Sequence, residues 1–453
     1  MRHIFVLFAV IFSAVAAQAS TPLDFTVHKF GTGSPVVLIV GGIQGDEPGG
    51  FSAATLLATQ YAFTKGSVWV VPNLNFPSII KRSRGLHGDM NRKFAELDEK
   101  DPEYAIVRRI QELVAAPEVE LVLNLHDGSG FYRPKHIDKL RNPNRWGQAV
   151  IIDMERMDAG PLGEFKERAE EVVSEVNKYL LQDHHVYHIR NTHTDKGDPE
   201  MEKCLTWFAV NHGKPAYGLE VSKEFSIEGR AYYHLHVVES FLKLAGIEFD
   251  RSFPLSFKGV RQALQSDISV AFAEDRVRLP LENVRPRLSG YIPVPRDLAG
   301  GFSSSKPILA VLGDQKELSV HYGNRLLTKF RPEWHDAFAE LPEFTVLADG
   351  KEHVVRPGDV LTVRERFLVE RRDGYRINAI GAELGKDESG IEIRKKHFRP
   401  EYSVDTGKSV FRVEAYQGKT FAGMFLVRFG EPKLVTTQRY TPDKPGKESD
   451  LGR

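Results

Sequence analysis

The chain has 453 residues, 41% of them hydrophobic, which is enough apolar material for two or three ordinary buried cores and excludes a wholly disordered protein. Lys plus Arg and Asp plus Glu both number 61, so no global field favours nucleic acid or an anionic membrane, and charged ligands must be held by local clusters. Cys204 is the single cysteine, so packing and not disulfides must hold the fold, and its Glu202-Lys203-Cys204-Leu205 setting lacks the activating neighbour of a nucleophilic thiol.

The N-terminal stretch MRHIFVLFAVIFSAVAAQAS opens on basic Arg2 and His3, continues with an apolar run short for a membrane span, and ends on Ala17-Gln18-Ala19. That pattern predicts a signal peptide over residues 1–19 and an exported mature chain, in which no later stretch is apolar enough to cross a bilayer. From Asp24 to Gly246, β-rich runs (PVVLIVG, SVWVVPNLN, VELVLNLH, AVIID, AYGLEVS) alternate with helical periodicity (GFSAATLLATQY, PEYAIVRRIQELVAA, PLGEFKERAEEVVSEVNKYLL, YYHLHVVESFLKLAG). The alternation predicts an α/β domain over residues 20–248, its near-continuous apolar strands forming a central sheet covered by helices on both faces. Beyond it the texture turns to short alternating runs broken by Pro and Gly, such as SDISVAFA and PILAVLG within 249–341, then EFTVLADG and FAGMFLVRFG within 342–440. Each block has the size of a small β-barrel or sandwich, and residues 441–453 read as a disordered charged tail.

The segment VVLIVGGIQGDEPGG places Gln44 and Glu47 in a loop between a strand and a helix, where ligands gather in α/β sheets. A second strand, VELVLNLH, delivers His126 to its own C-terminal end, so three side chains are available to hold zinc and leave a position open for water. The glutamine is the difficulty, because an amide oxygen is a weaker donor than imidazole; the motif marks an unusual enzyme or a disabled one. A phosphate loop is a poor rival, since GGIQGDEPGG lacks the Lys-Ser/Thr ending and its acids repel phosphate. Further along, Lys81-Arg82-Ser83-Arg84 and Asp89-Met90-Asn91-Arg92 supply cations, and YGLEVSK ends a strand with Glu220, for which a plain pairing with Lys223 is the bland alternative. A C-terminal exopeptidase needs a cation for the terminal carboxylate, a positive centre for the oxyanion and a carboxylate to activate water, and all three types occur here. The histidines His184, His185, His188 and His193 fall in a loop-prone stretch with no fixed ligand spacing, which favours a surface or substrate-rim role.

Taken together, Gln44-x-x-Glu47, Arg84, Asn91-Arg92, His126 and Glu220 resemble the funnelin-type zinc carboxypeptidases. The Gln-for-His change, the signal peptide and the two trailing β modules resemble one branch of them, the periplasmic murein D,L-carboxypeptidases that determine helical cell shape. That resemblance implies an α/β carboxypeptidase-like domain with a central mixed sheet, followed by a barrel-like and then an immunoglobulin-like all-β module. It implies one Zn2+ on Gln44, Glu47 and His126, with Glu220 as general base and Arg84 stabilising the oxyanion. Asn91 and Arg92 would grip the terminal carboxylate, while Trp146, Thr206 and Trp207 would line the substrate pocket. The implied reaction removes the terminal meso-diaminopimelate from peptidoglycan tripeptide stems, with those stems and other cell-shape proteins as partners and the periplasm as the location. Two rivals stay open: a related amidohydrolase or ordinary peptide carboxypeptidase, and a zinc-free murein-binding scaffold in which Gln44 records a lost ligand.

Overall fold

The computed structural model describes residues 19–341 and 343–431, so the expected signal peptide and charged tail lie outside the described residues, apart from the last signal residue, Ala19. An eight-stranded mixed sheet organises the first half, in the order Glu248–Arg251, Tyr61–Val71, Val36–Val40, Val119–Gly128, Ala216–Ser222, Ala149–Ile152, His188–Asn191, with His28–Thr32 beside Tyr61–Val71. The centre is parallel, and its strands read as continuous apolar runs because both faces are covered; all five residues of Val36–Val40 are buried. Antiparallel strands at 248, 28 and 149 make the sheet mixed.

Helices α1 (Pro48–Gln60), α2 (Phe76–Lys81), α3 (Tyr104–Val114), α4 (Phe165–Val176), α5 (Leu205–Asn211), α6 (Ile227–Leu244) and α7 (Phe257–Gln265) complete the unit. Pro48 opens α1 at a position where its missing N–H costs nothing. Asn75 caps α2 by accepting from Ser78 N at 3.3 Å, and Ser226 caps α6 by accepting from Gly229 N at 3.3 Å. Parity along the strands sorts the layers. Leu125 and Tyr217 face α1, α4 and α6, with the Tyr217 ring edge-on to Phe165 at 5.2 Å and tilted against Phe241 at 4.5 Å. His126 and Glu220 point the other way, towards α5.

The texture changes after Gly246 but burial does not: Phe249 and Phe253, then Val260, Ala263 and Leu264 of α7, belong to the first core. The remainder is all β. A five-stranded and a three-stranded sheet span residues up to 335, and two four-stranded sheets follow. The long hairpin Val410–Gln417 and Thr420–Phe429 is buried on both faces. Its alternate residues serve different cores, Phe421, Met424 and Leu426 with Val270 and Phe330, but Phe425 and Val427 with Phe344 and Phe367. The two β blocks therefore share a wall. Phe51, Phe76 and Ile79 of the α/β unit pack on Ile308 and Ala310 of the first β block, fixing one against the other.

Candidate active site

The three expected metal ligands converge. The turn after Val36–Val40 folds back tightly: a Cβ on Gly45 would stand 2.0 Å from Ser78 C, so only glycine lets the loop pass the α2 backbone. This brings Gln44 and Glu47 over the end of Val119–Gly128, where His126 Nδ1 lies 3.2 Å from Gln44 Oε1 and 3.0 Å from Glu47 Oε2. Glu47 Oε2 also accepts from Asp127 N at 3.0 Å. On the opposite face of the strand, Asp127 accepts from Gly49 N at 2.8 Å, Arg230 Nη1 at 3.1 Å and His234 Nε2 at 3.1 Å. Asp127 thus ties both α1 and α6 to the strand end that carries His126.

Glutamine presents its oxygen to this cluster because its nitrogen is occupied: Gln44 Nε2 donates to Asp89 Oδ1 at 2.7 Å. Asp89 also receives Asn91 N at 3.0 Å and Arg84 Nε at 3.0 Å. Burial opposes its charge, but Gln44, Arg84 and the Asn91 amide hold its pKa below the usual carboxylate range. The sequence signal for Asp89 is its place at the head of the segment ending in Asn91-Arg92.

Glu220 stands directly opposite His126 in the parallel register, so their side chains share one face. Burial pushes its pKa up to about 7, His126 pulling it down and Glu47 and Asp127 adding to the rise. Its Oε2 is buried with no partner. Lys223 does not pair with it, binding Asp46 at 3.1 Å and Glu47 at 3.3 Å instead. For His126, burial opposes protonation but Glu47, Glu220 and Asp89 together raise the pKa.

That arrangement fits a divalent cation. One imidazole nitrogen, one carboxylate oxygen and one amide oxygen surround a point that a lone proton on Nδ1 now serves, in a field of three carboxylates. With a cation at Nδ1 the ring keeps its proton on Nε2 and needs an acceptor there. Asn124 lies at 2.8 Å, and its Oδ1 is buried without a partner, one amide turn from that role. No cluster of three His, Cys, Asp or Glu donors exists among the described residues, because the third donor is an amide.

The site opens into a cavity of about 250 Å³ lined by Arg84, Asn91, Arg92, Trp146, Thr206 and Glu220 among others, which unites every expected site residue except Trp207. Trp207 packs on the first core instead. Asn91 is clamped between Leu205 N, which donates to its Oδ1 at 3.0 Å, and His126 Nε2 at 3.4 Å. Arg92 donates to Asn91 O at 2.9 Å and meets the exposed Glu200 at 3.7 Å, and Arg84, half exposed, reaches Asp89 at 3.0 Å and Glu47 at 3.5 Å. Cys204 is buried at the cavity wall, where burial raises its thiol pKa to about 11, so it is no nucleophile. His185 packs against Phe131, Phe225 and Tyr233, and burial lowers its pKa to about 4. Among the described residues, no helix is long and apolar enough to cross a membrane.

Residues 1–265 match the family model described as the catalytic part of the carboxypeptidase controlling helical cell shape, and residues 338–430 match the C-terminal domain of metallo-carboxypeptidase. Among the curated proteins no sequence matches. Similar crystal structures include the product-bound cell shape determinant protein Csd4 from Helicobacter pylori, at 37% identity and a TM-score of 0.82, covering 90% of this chain and 100% of that one. The tripeptide-bound form of that Helicobacter pylori protein has 37% identity and a TM-score of 0.81 over 90% of this chain and 100% of its own. The mDAP-bound form of Helicobacter pylori Csd4, described as a D,L-carboxypeptidase, has 37% identity and a TM-score of 0.81, covering 88% of this chain and 97% of its own. With a family match over more than half its length and a relative of this identity along nearly all of it, the chain belongs to the metallocarboxypeptidases that control helical cell shape.

Proposed function

We propose that this chain is an exported zinc D,L-carboxypeptidase that removes the terminal meso-diaminopimelate from peptidoglycan tripeptide stems and leaves a dipeptide. The observation that carries this reading is the convergence of Gln44 Oε1, Glu47 Oε2 and His126 Nδ1 beside the buried, partnerless Oε2 of Glu220. Gln44, Glu47 and His126 would hold the metal, which when bound supplies a Lewis acid for the scissile carbonyl and the attacking water. Glu220 removes a proton from that water as its oxygen bonds to the carbonyl carbon. Burial raises the pKa of Glu220 above the ordinary carboxylate range, which suits a group that takes up a proton and then gives it to the leaving amine as the C–N bond breaks. Arg84 is placed for the developing oxyanion: half exposed at the cavity wall, it is held there by Asp89 at 3.0 Å and Glu47 at 3.5 Å. Arg92 and Asn91 take the terminal carboxylate, Arg92 exchanging the exposed Glu200 for the substrate, while Trp146 and Thr206 border its side chain. The tripeptide-bound and mDAP-bound forms of Csd4, which is similar along its whole length, support the substrate class.

Mass spectrometry of products from diaminopimelate-containing muropeptides, with and without zinc and beside Glu220→Ala, tests the reading. Zinc-dependent conversion of tripeptide to dipeptide, lost in the variant, is the expected result. No conversion by folded, zinc-loaded protein points to another amide substrate, and failure to take up zinc points to a murein-binding scaffold.

A further inference from the structure

One arginine beside the active-site cavity has no role in the mechanism above. On the sheet face that carries Glu220, the register aligns Asn124, Gly218, Ile151 and Arg190 in one cross-strand row. The first three line the cavity, so Arg190 rises from the same face two strands from Gly218. Its guanidinium lies 3.7 Å from the ring centre of Trp146, which itself borders the cavity, and 5.3 Å from that of Tyr132. Trp146 in turn abuts the catalytic carboxylate, since a Cβ on Gly128 would stand 2.6 Å from both Trp146 Cβ and Glu220 Oε2.

The other guanidiniums nearby are committed. Arg84, Arg92 and Arg230 each meet a carboxylate. Arg133 gives its hydrogen bonds to the carbonyls of Tyr132, Val186 and His184. Arg145 gives two to Lys139 O. Arg190 donates once, from Nη1 to Arg145 O at 2.6 Å, and no carboxylate among the described residues pairs with it. Its Nε and Nη2 carry no partner and are not among the buried unpaired atoms, so solvent reaches them. Burial disfavours its charge, with Tyr132 and Glu220 answering only at a distance. A half-buried cation held flat against an aromatic ring with spare, accessible donors is preorganised for an anion.

We infer that Arg190 is a specificity-determining residue that binds the side-chain carboxylate of the substrate's terminal residue. This rests on the reaction proposed above. With Asn91 and Arg92 holding the terminal α-carboxylate, the side chain of that residue extends beside Trp146 along Gly218 and Ile151, the row that ends at Arg190. Diaminopimelate differs from lysine by that one carboxylate, so an enzyme with this cation separates the two at a single site.

The test measures kcat/KM on three stem tripeptides: one ending in meso-diaminopimelate, one ending in lysine, and a diaminopimelate peptide whose upstream γ-linked glutamate carries an α-carboxamide. Wild type is expected to prefer diaminopimelate over lysine by roughly ten- to hundredfold, mostly through KM. Arg190→Gln collapses that ratio towards one, and Arg190→Lys, which keeps the charge but not the planar fork, retains part of it. Near-ultraviolet circular dichroism establishes that both variants are folded. A preference for diaminopimelate that survives intact in folded Arg190→Gln overturns the inference. So does loss of discrimination against the carboxamide peptide alone, which would move the contact upstream. Absence of turnover by wild type on all three peptides overturns the parent reaction instead.

Discussion

At the scale of single residues, the proposed zinc site asks how an amide could serve where an imidazole is the stronger donor. Asp89 answers it by holding Gln44 Nε2 at 2.7 Å, which fixes the direction of Oε1 and adds electron density to it through a charge-assisted bond. Asp89→Asn is expected to weaken zinc binding by roughly ten- to hundredfold, read by competition with a chelator of known affinity. Gln44→His is expected to hold zinc as tightly or more tightly in the same assay, without a matching rise in turnover, because ligand strength and water activation have different optima. Gly128 sits in the one gap between Glu220 and Trp146. Gly128→Ala should displace the base and lower kcat/KM by roughly a hundredfold, since a misplacement of about 1 Å is enough for such a loss, and the clash of its Cβ with Gly147 N at 2.5 Å should lower the thermal melt as well.

Among the elements, α6 is unusual in being buried almost all round, and it carries His236 packed 4.5 Å from the Tyr179 ring and 4.4 Å from the Tyr232 ring. Burial, aided by Arg251 and Lys243, lowers the His236 pKa to about 3, well below the unfolded value near 6.5. The unfolded chain therefore binds a proton that the folded one refuses. Stability from this group is present above about pH 6.5 and is lost as pH falls towards 3, at up to about 1.4 kcal/mol per pH unit. In His236→Gln that term is gone, so the stability gap between wild type and variant should shrink between pH 7 and pH 5 in denaturant titrations. The short helix α2 depends on Asn75, which caps it and donates to Glu103 Oε1 at 3.0 Å.

For the whole molecule, the hairpin Val410–Phe429 decides whether the β blocks are separable. Phe421, Met424 and Leu426 fill the core built on Val270 and Phe330, from more than ninety positions away along the chain. A chain ended at residue 341 would leave that core open on one side and is expected to aggregate or lose cooperative unfolding, as size-exclusion chromatography and circular dichroism would show. Because Ile308 and Ala310 of the same block pack on Phe51, Phe76 and Ile79, the loss should reach α2 and the loop carrying Gln44.

The local record in the chain was enough for the α/β alternation, the four long helices and the strand ends carrying Gln44, His126 and Glu220, because apolar periodicity and burial on two faces leave a one-dimensional trace. The residue types expected at the site were legible too, since side-chain chemistry is a property of the residue, and the fold brings Gln44, Glu47, His126 and Glu220 to one cavity. Contacts between distant residues leave no such trace. The Asp89–Gln44 bond, the engagement of Lys223 with Asp46 and Glu47, the alignment of Arg190 with Gly218 and Ile151, and the two-faced burial of the last hairpin were settled only by strand order and register. A sheet fixes its register through non-local pairing and packing, so which side chains meet across it is a fact of the tertiary structure and not of any local segment.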